Sequence, residues 1–257
     1  MLSIILPLYI YPSPGSWNPL LSMAAIHPNI DFTVIINPAS GPGPESLPDE
    51  NYIAALRSLD HFPNVNLLGY VRCTYGDRDV AEIDDDIAKY GDWEAEFSNL
   101  GDGGLSVTLQ GIFLDEFPAE AENLALMTHI SQQIQDTWAD SMDSNATVVY
   151  NPGAVVDPSF YPLADYIVAF ENAETERSAF MAEGLAQVEE GSRGKTSMIV
   201  HTYNGSSDEL EGLVGDVVDA GVESLFVTHQ VGGQYNEWPE MWESFVEILS
   251  SREVANK

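Results

Sequence analysis

The chain has 257 residues, of which 44% are hydrophobic, and its 41 acidic side chains against nine basic ones give a formal net charge of −32. That length suits one barrel domain over residues 1–257, and the apolar content is too high for a disordered acidic polymer. The charge repels nucleic acid backbones and offers no basic patch for phosphates, and no apolar run reaches the ~20 residues of a transmembrane helix.

Residues 1–9 have no basic flank and no small-residue cleavage site, so they read as a first strand and not as a signal peptide. The expected location is intracellular, or secreted or at the cell surface if a leader has been removed. Short runs rich in Ile, Val, Leu and Phe recur along the chain at 4–9, 32–36, 66–71, 111–114, 147–150, 166–170, 197–200 and 225–228. They lack polar alternation, as strands buried on both faces of a parallel sheet do. Helices are predicted at 49–59, at 79–89 with 93–97, at 119–138 and at 174–189. Two more follow, at 208–220 behind the N-cap candidates Ser206 and Ser207 and at 238–249 through Pro239. Residues 151–165 carry three prolines and predict only a short helix or a loop. Eight strands alternating with helices predict a single (β/α)8 barrel, a TIM barrel of the α/β class.

Cys73 stands alone, so neither an internal disulfide nor a Cys/His metal cluster is expected. The sequons at Asn145 and Asn204 occur about as often as chance would supply them.

Barrel enzymes build their sites at the C-terminal ends of the strands. Here those ends carry Tyr9 and Tyr11, Asn37, Tyr70 through Tyr75, Asp115 and Glu116, Asn151, Glu171 and Asn172, His201 and Tyr203, and His229 and Gln230. Schiff-base chemistry needs a lysine in the barrel, but the lysines are Lys89 in a predicted helix, Lys195 before the seventh strand and the terminal Lys257. No nucleophile elbow of the Gly-x-Ser-x-Gly type occurs. His201 and His229 with Asp115 form an alternative metal set, although no cofactor or metal is expected.

Carboxylates remain. Glycoside hydrolysis commonly uses one carboxylic acid to protonate the leaving oxygen and a second carboxylate to attack the sugar or activate water. Asp115-Glu116 and Glu171 end the fourth and sixth strands, on one rim. An isolated acid there would more often be a helix cap. An adjacent pair in a chain short of cations favours chemistry. Period-two alternation keeps Asp115 and Glu116 from both facing inward while the strand stays regular. Tyr9, Tyr11, Trp17, Tyr75, Tyr203, Tyr235 and Trp238 are rim aromatics able to stack on sugar rings, though ordinary packing accounts for each alone.

The segments Leu6-Pro-Leu-Tyr-Ile-Tyr-Pro12, Val34-Ile-Ile-Asn-Pro-Ala-Ser-Gly-Pro-Gly43, Gly69-Tyr-Val-Arg-Cys-Thr-Tyr-Gly76, Gly111-Ile-Phe-Leu-Asp-Glu116 and Val168-Ala-Phe-Glu171 resemble the spherulin-4-like family of fungi and slime moulds (fungal glycoside hydrolase family 135). The likeness spans essentially the whole chain. It implies a (β/α)8 fold and endo-hydrolysis of galactosaminogalactan, an exopolysaccharide of galactose, N-acetylgalactosamine and galactosamine. The family's acidic pair maps onto Asp115 and Glu116, and its third carboxylate onto Glu171.

The expectation is an endo-glycosidase acting on a galactosamine-containing polysaccharide. Retention is favoured by fold analogy, with Asp115 as nucleophile, Glu171 as acid/base and Glu116 orienting or binding the sugar. Inversion stays open, as does attack by the substrate's own N-acetyl carbonyl, in which case Asp115 only orients it. Tyr9, Tyr11, Asn37, Tyr75, Asn151, His201, Tyr203 and His229 are the expected sugar-binding residues. The partner is a polysaccharide, cationic where deacetylated, and the chain is expected to be a monomer. The alternatives are a non-catalytic carbohydrate-binding or spherulation-stage barrel and a metal-dependent hydrolase.

Overall fold

A computed structural model describes residues 2–101, 103–104, 106–139 and 145–255; the other positions of the predicted 1–257 domain lie outside the described residues. Eight parallel strands close into a barrel in chain order, β8 pairing back onto β1. They are β1 Ser3–Leu8, β2 Phe32–Ile36, β3 Val65–Arg72, β4 Gly111–Asp115, β5 Thr147–Asn151, β6 Tyr166–Ala173, β7 Thr196–His201 and β8 Ser224–Val227. Every residue of β2 and β8 is buried, because one face fills the barrel and the other meets the helices. The fold is the predicted TIM barrel.

The helical layer departs from expectation in informative places. Between β1 and β2 a helix unassigned from sequence, α1 Asn18–Ile26, carries Pro19 in its first turn and buries Leu20, Met23 and Ala24. Between β2 and β3, α2 Glu50–Leu59 is capped by Asp49, whose carboxylate accepts from the amides of Asn51 and Tyr52. After β3 the two predicted segments form one helix, α3 Val80–Asn99, with Ile83, Ile87, Tyr90, Trp93 and Phe97 on its buried side. Gly91, between the two segments, serves packing. A Cβ there would lie 2.3 Å from Cγ2 of Thr137, in the next helix, α4 Leu124–Trp138.

Residues 151–165 hold only a 3₁₀ helix, Pro158–Leu163, as the prolines predict. The predicted helix at 174–189 breaks up. It is regular as α5 over Glu174–Ala179, widens to a π turn over Phe180–Gly184 and tightens to a 3₁₀ turn at Leu185–Gln187. The Phe180 ring packs on Phe170 with centroids 4.9 Å apart. α6 Ser207–Asp219 begins with a reciprocal capping box between Ser206 and Glu209. The last helix, α7 Trp242–Ala255, starts later than predicted. Pro239 precedes it, and its carbonyl accepts the Trp242 N–H at 3.0 Å.

Candidate functional site

β4 ends on Asp115, in register with Asn151 at the end of β5. Paired residues of neighbouring strands project to the same face, so the carboxylate and the amide enter the barrel mouth together. β6 slips by one residue against β7 between Val168 and Phe170, and such a slip resets the in/out alternation beyond it. Glu171 then follows, its N–H donating to the Gly153 carbonyl at 3.1 Å.

Three side chains tie these acids together. Asn151 Nδ2 donates to Asp115 Oδ1 at 2.8 Å and to Glu171 Oε2 at 2.6 Å. Its Oδ1 accepts from the Gly153 N–H at 3.2 Å, which fixes the amide with its donor end toward the acids. Tyr70 Oη donates to Asp115 Oδ2 at 2.7 Å. Tyr235 Oη donates to Glu171 Oε1 in a short hydrogen bond. Two acidic oxygens bound to one nitrogen cannot be further apart than the two contacts combined. The two carboxylates therefore stand as a close pair around one amide nitrogen.

Burial pushes the Glu171 carboxyl above the ordinary carboxylate range. The hydrogen bonds from Tyr235 and Asn151 oppose that shift, and the Asp115 charge adds to it. Burial, then neighbouring carboxylate charge, drives the Tyr70 and Tyr235 phenols well up, so both remain donors. Burial also lowers the pKa of His201.

Glu116 lies just past the end of β4, at φ 51°. Leaving the strand there removes the constraint of regular alternation, and Asp115 and Glu116 line the same cleft. The Glu116 carbonyl accepts the N–H of Tyr75 at 2.7 Å; Tyr75 is itself left-handed at φ 52°. Thr74, Thr202 and Tyr235 are further non-glycine residues with positive φ beside this mouth. Such strain gathers where the surroundings fix a site in place.

The resulting cleft, about 450 Å³, is open to solvent and lined by Tyr75, Asp115, Glu116, Asn151, Glu171 and His201, together with Pro152, Gly153, Gly232 and Gly233. No lysine or arginine is among its described lining residues. Lys89 donates to the Gly43 and Pro44 carbonyls and Lys195 to those of Tyr161 and Ala164, while Lys257 lies outside the described residues.

The expected sugar-binding residues divide. Tyr75, Asn151 and His201 reach the cleft. Tyr9 packs its ring edge-on against Tyr70 and Tyr235, at 5.7 and 5.8 Å between centroids, beside the tyrosines that hold the acids. Tyr11 is bound instead to Asp49 and Asn51, and Asn37 accepts the Gly41 N–H within its own turn. Tyr203 and His229 line a separate pocket of about 130 Å³ near the ends of β7 and β8. His229 and His201 therefore do not converge, and no three metal-ligating side chains cluster among the described residues. Of the other rim aromatics, Trp17 and Trp238 are held by backbone carbonyls, those of Ile10 and Ser16.

Sequence reasoning missed Tyr70 and Tyr235 as partners of the acids. Tyr70 could have been found, since it alternates with Arg72 on β3 and Arg72 is in register with Asp115. Tyr235 sits in an irregular loop after β8, and nothing in the sequence marks its reach.

The molecule is thus a parallel (β/α)8 barrel with a carboxylate-lined cleft at its C-terminal mouth. The sequence profile of spherulation-specific family 4 matches residues 3–249, and the chain belongs to that family. The crystal structure of Aspergillus clavatus Sph3 in complex with GalNAc superposes with a TM-score of 0.86, at 33% identity and 97% coverage of both chains. Spherulin-4 of Physarum polycephalum is 28% identical over 238 residues, and the chain spans only 64% of that protein's length. A chitinase from Bacteroides thetaiotaomicron, 7% identical with a TM-score of 0.56 over 97% of this chain and 96% of its own, shares the fold alone.

Proposed function

We propose that this chain is an endo-acting glycoside hydrolase of a polysaccharide containing galactosamine or N-acetylgalactosamine, of the galactosaminogalactan type. The observation that carries the proposal is the single Asn151 nitrogen bound to both Asp115 and Glu171. It holds the two carboxyl groups as a close pair, which supports a double displacement. Crystallisation of the Sph3 relative with GalNAc supports the sugar class. The openness of the cleft suits an internal stretch of polymer, and its acidic lining suits amino groups exposed by deacetylation.

In this mechanism Glu171, half-buried and inclined to keep its proton, protonates the glycosidic oxygen as the bond to the anomeric carbon breaks. Asp115 attacks that carbon or, where the substrate's N-acetyl carbonyl does so, orients and steadies it. Glu171, now deprotonated, takes a proton from water as that water bonds to the anomeric carbon and the bond from the carbon to the attacking oxygen breaks, which restores both acids. Glu116, next to Asp115 and facing the same cleft, binds the sugar.

The test is incubation with galactosaminogalactan and mass spectrometry of released oligosaccharides, comparing wild type with Asp115→Asn, Glu116→Gln and Glu171→Gln. Oligosaccharides from the wild type, and their loss in the Asp115 and Glu171 variants, are expected. Equal product from all four proteins would refute the assignment. Polymer binding with no product at all would favour a non-catalytic carbohydrate-binding barrel.

A further inference from the structure

Tyr235 is built into this mouth with unusual care for a loop residue. Its backbone is left-handed at φ 45°, a costly conformation for a side chain of that size. Its carbonyl accepts the Tyr9 N–H at 3.3 Å, which pins the loop after β8 to the end of β1. Its ring sits edge-on to Tyr9 and to Phe226, at 5.8 and 5.9 Å between centroids, and is 4% exposed. All of this directs one phenol at Glu171 Oε1.

We infer that Tyr235 is a positioning residue for Glu171, a constant hydrogen-bond donor that orients the carboxyl and limits how tightly it holds its proton. Packing alone would need the ring but not the hydroxyl. Burial and the adjacent carboxylate keep the phenol protonated, so it donates whenever Glu171 is ionised. Asn151 holds the other oxygen and does not titrate. The remaining titratable groups around Glu171 come from other elements: Asp115 and Glu116 at the end of β4, Tyr75 after β3, Tyr9 after β1 and His201 at the end of β7. Their charges bear on Glu171 through space. The Tyr235 phenol acts through a bond that one substitution removes.

The purpose of this device rests on the glycosidase proposal, but its test does not. Carbon-13 carboxyl NMR on the whole protein follows the Glu171 titration, assigned by its disappearance in Glu171→Gln. Tyr235→Phe keeps the ring and removes the donor. It should raise the Glu171 midpoint by about one to two units, the worth of a hydrogen bond to a charged group. Tyr70→Phe, which removes a donor to Asp115, should leave that midpoint in place. An unmoved Glu171 midpoint in Tyr235→Phe, or an equal shift in both variants, would overturn the inference. If Tyr235→Phe fails to fold, the wild type still decides. A tyrosine ring carbon next to oxygen should shift at the Glu171 midpoint and lose that step in Glu171→Gln; absence of the step overturns the inference. A wild type that releases no product would refute the activity and leave the titration result standing.

Discussion

At the floor of the cleft, Asp115 and Glu171 receive four hydrogen bonds from Tyr70, Asn151 and Tyr235. At the lip, Tyr75 is 65% exposed and Glu116 hangs from a left-handed residue just beyond its strand. The floor is oriented before any ligand arrives, which is where electrostatic catalysis gains most. The lip stands open to an incoming polymer. In the proposed mechanism, chemistry and recognition are divided between two regions supplied partly by adjacent residues, Asp115 and Glu116.

Substitutions should separate these regions by size of effect. Asp115→Asn and Glu171→Gln, each removing a reacting group, should lower kcat/KM at least ~10³-fold with the fold intact. Asn151→Asp sets a third carboxylate against the first two. A fall of about 10²-fold is expected, and near wild-type turnover would show that the shared amide does not matter. Glu116→Gln should cost about tenfold, mainly in KM. Binding to a deacetylated polymer should also weaken as salt rises, because exposed charges are screened. Salt-independent binding would remove charge from the account of the lip.

The smallest effect concerns stability. A carboxyl whose pKa rises on folding favours the folded state while it is protonated, below its unfolded range, and that contribution is lost as pH rises through the folded value. Glu171→Gln should therefore raise the thermal midpoint most at neutral pH, with the gain shrinking toward acid. A gain that grows on acidification would contradict the raised pKa.

Much of this arrangement was legible in the sequence. Strands buried on both faces announce themselves as continuous apolar runs, and the carboxylates end two of them. The helical layer was less legible: two predicted segments fuse into α3, where Gly91 lets Thr137 of α4 approach closely, a contact set by tertiary packing. The irregular turns after α5 answer to Phe180 packing on Phe170, a contact set by tertiary structure. The lining of the cleft was only partly legible, three of the eight expected residues reaching it. A strand end brings a residue to the mouth, but turn geometry decides where it points, as Asn37 and His229 demonstrate. The β6 slip before Glu171 and the positive φ of Glu116 leave no sequence signature. They are what bring three acids into one cleft.

If Asp115 and Glu171 act as a double-displacement pair held by Asn151, the sugar keeps its anomeric configuration. The anomeric configuration of newly formed reducing ends, followed by proton NMR during early digestion of galactosaminogalactan, tests it most directly. Retention of configuration is the predicted result; inverted ends would contradict it.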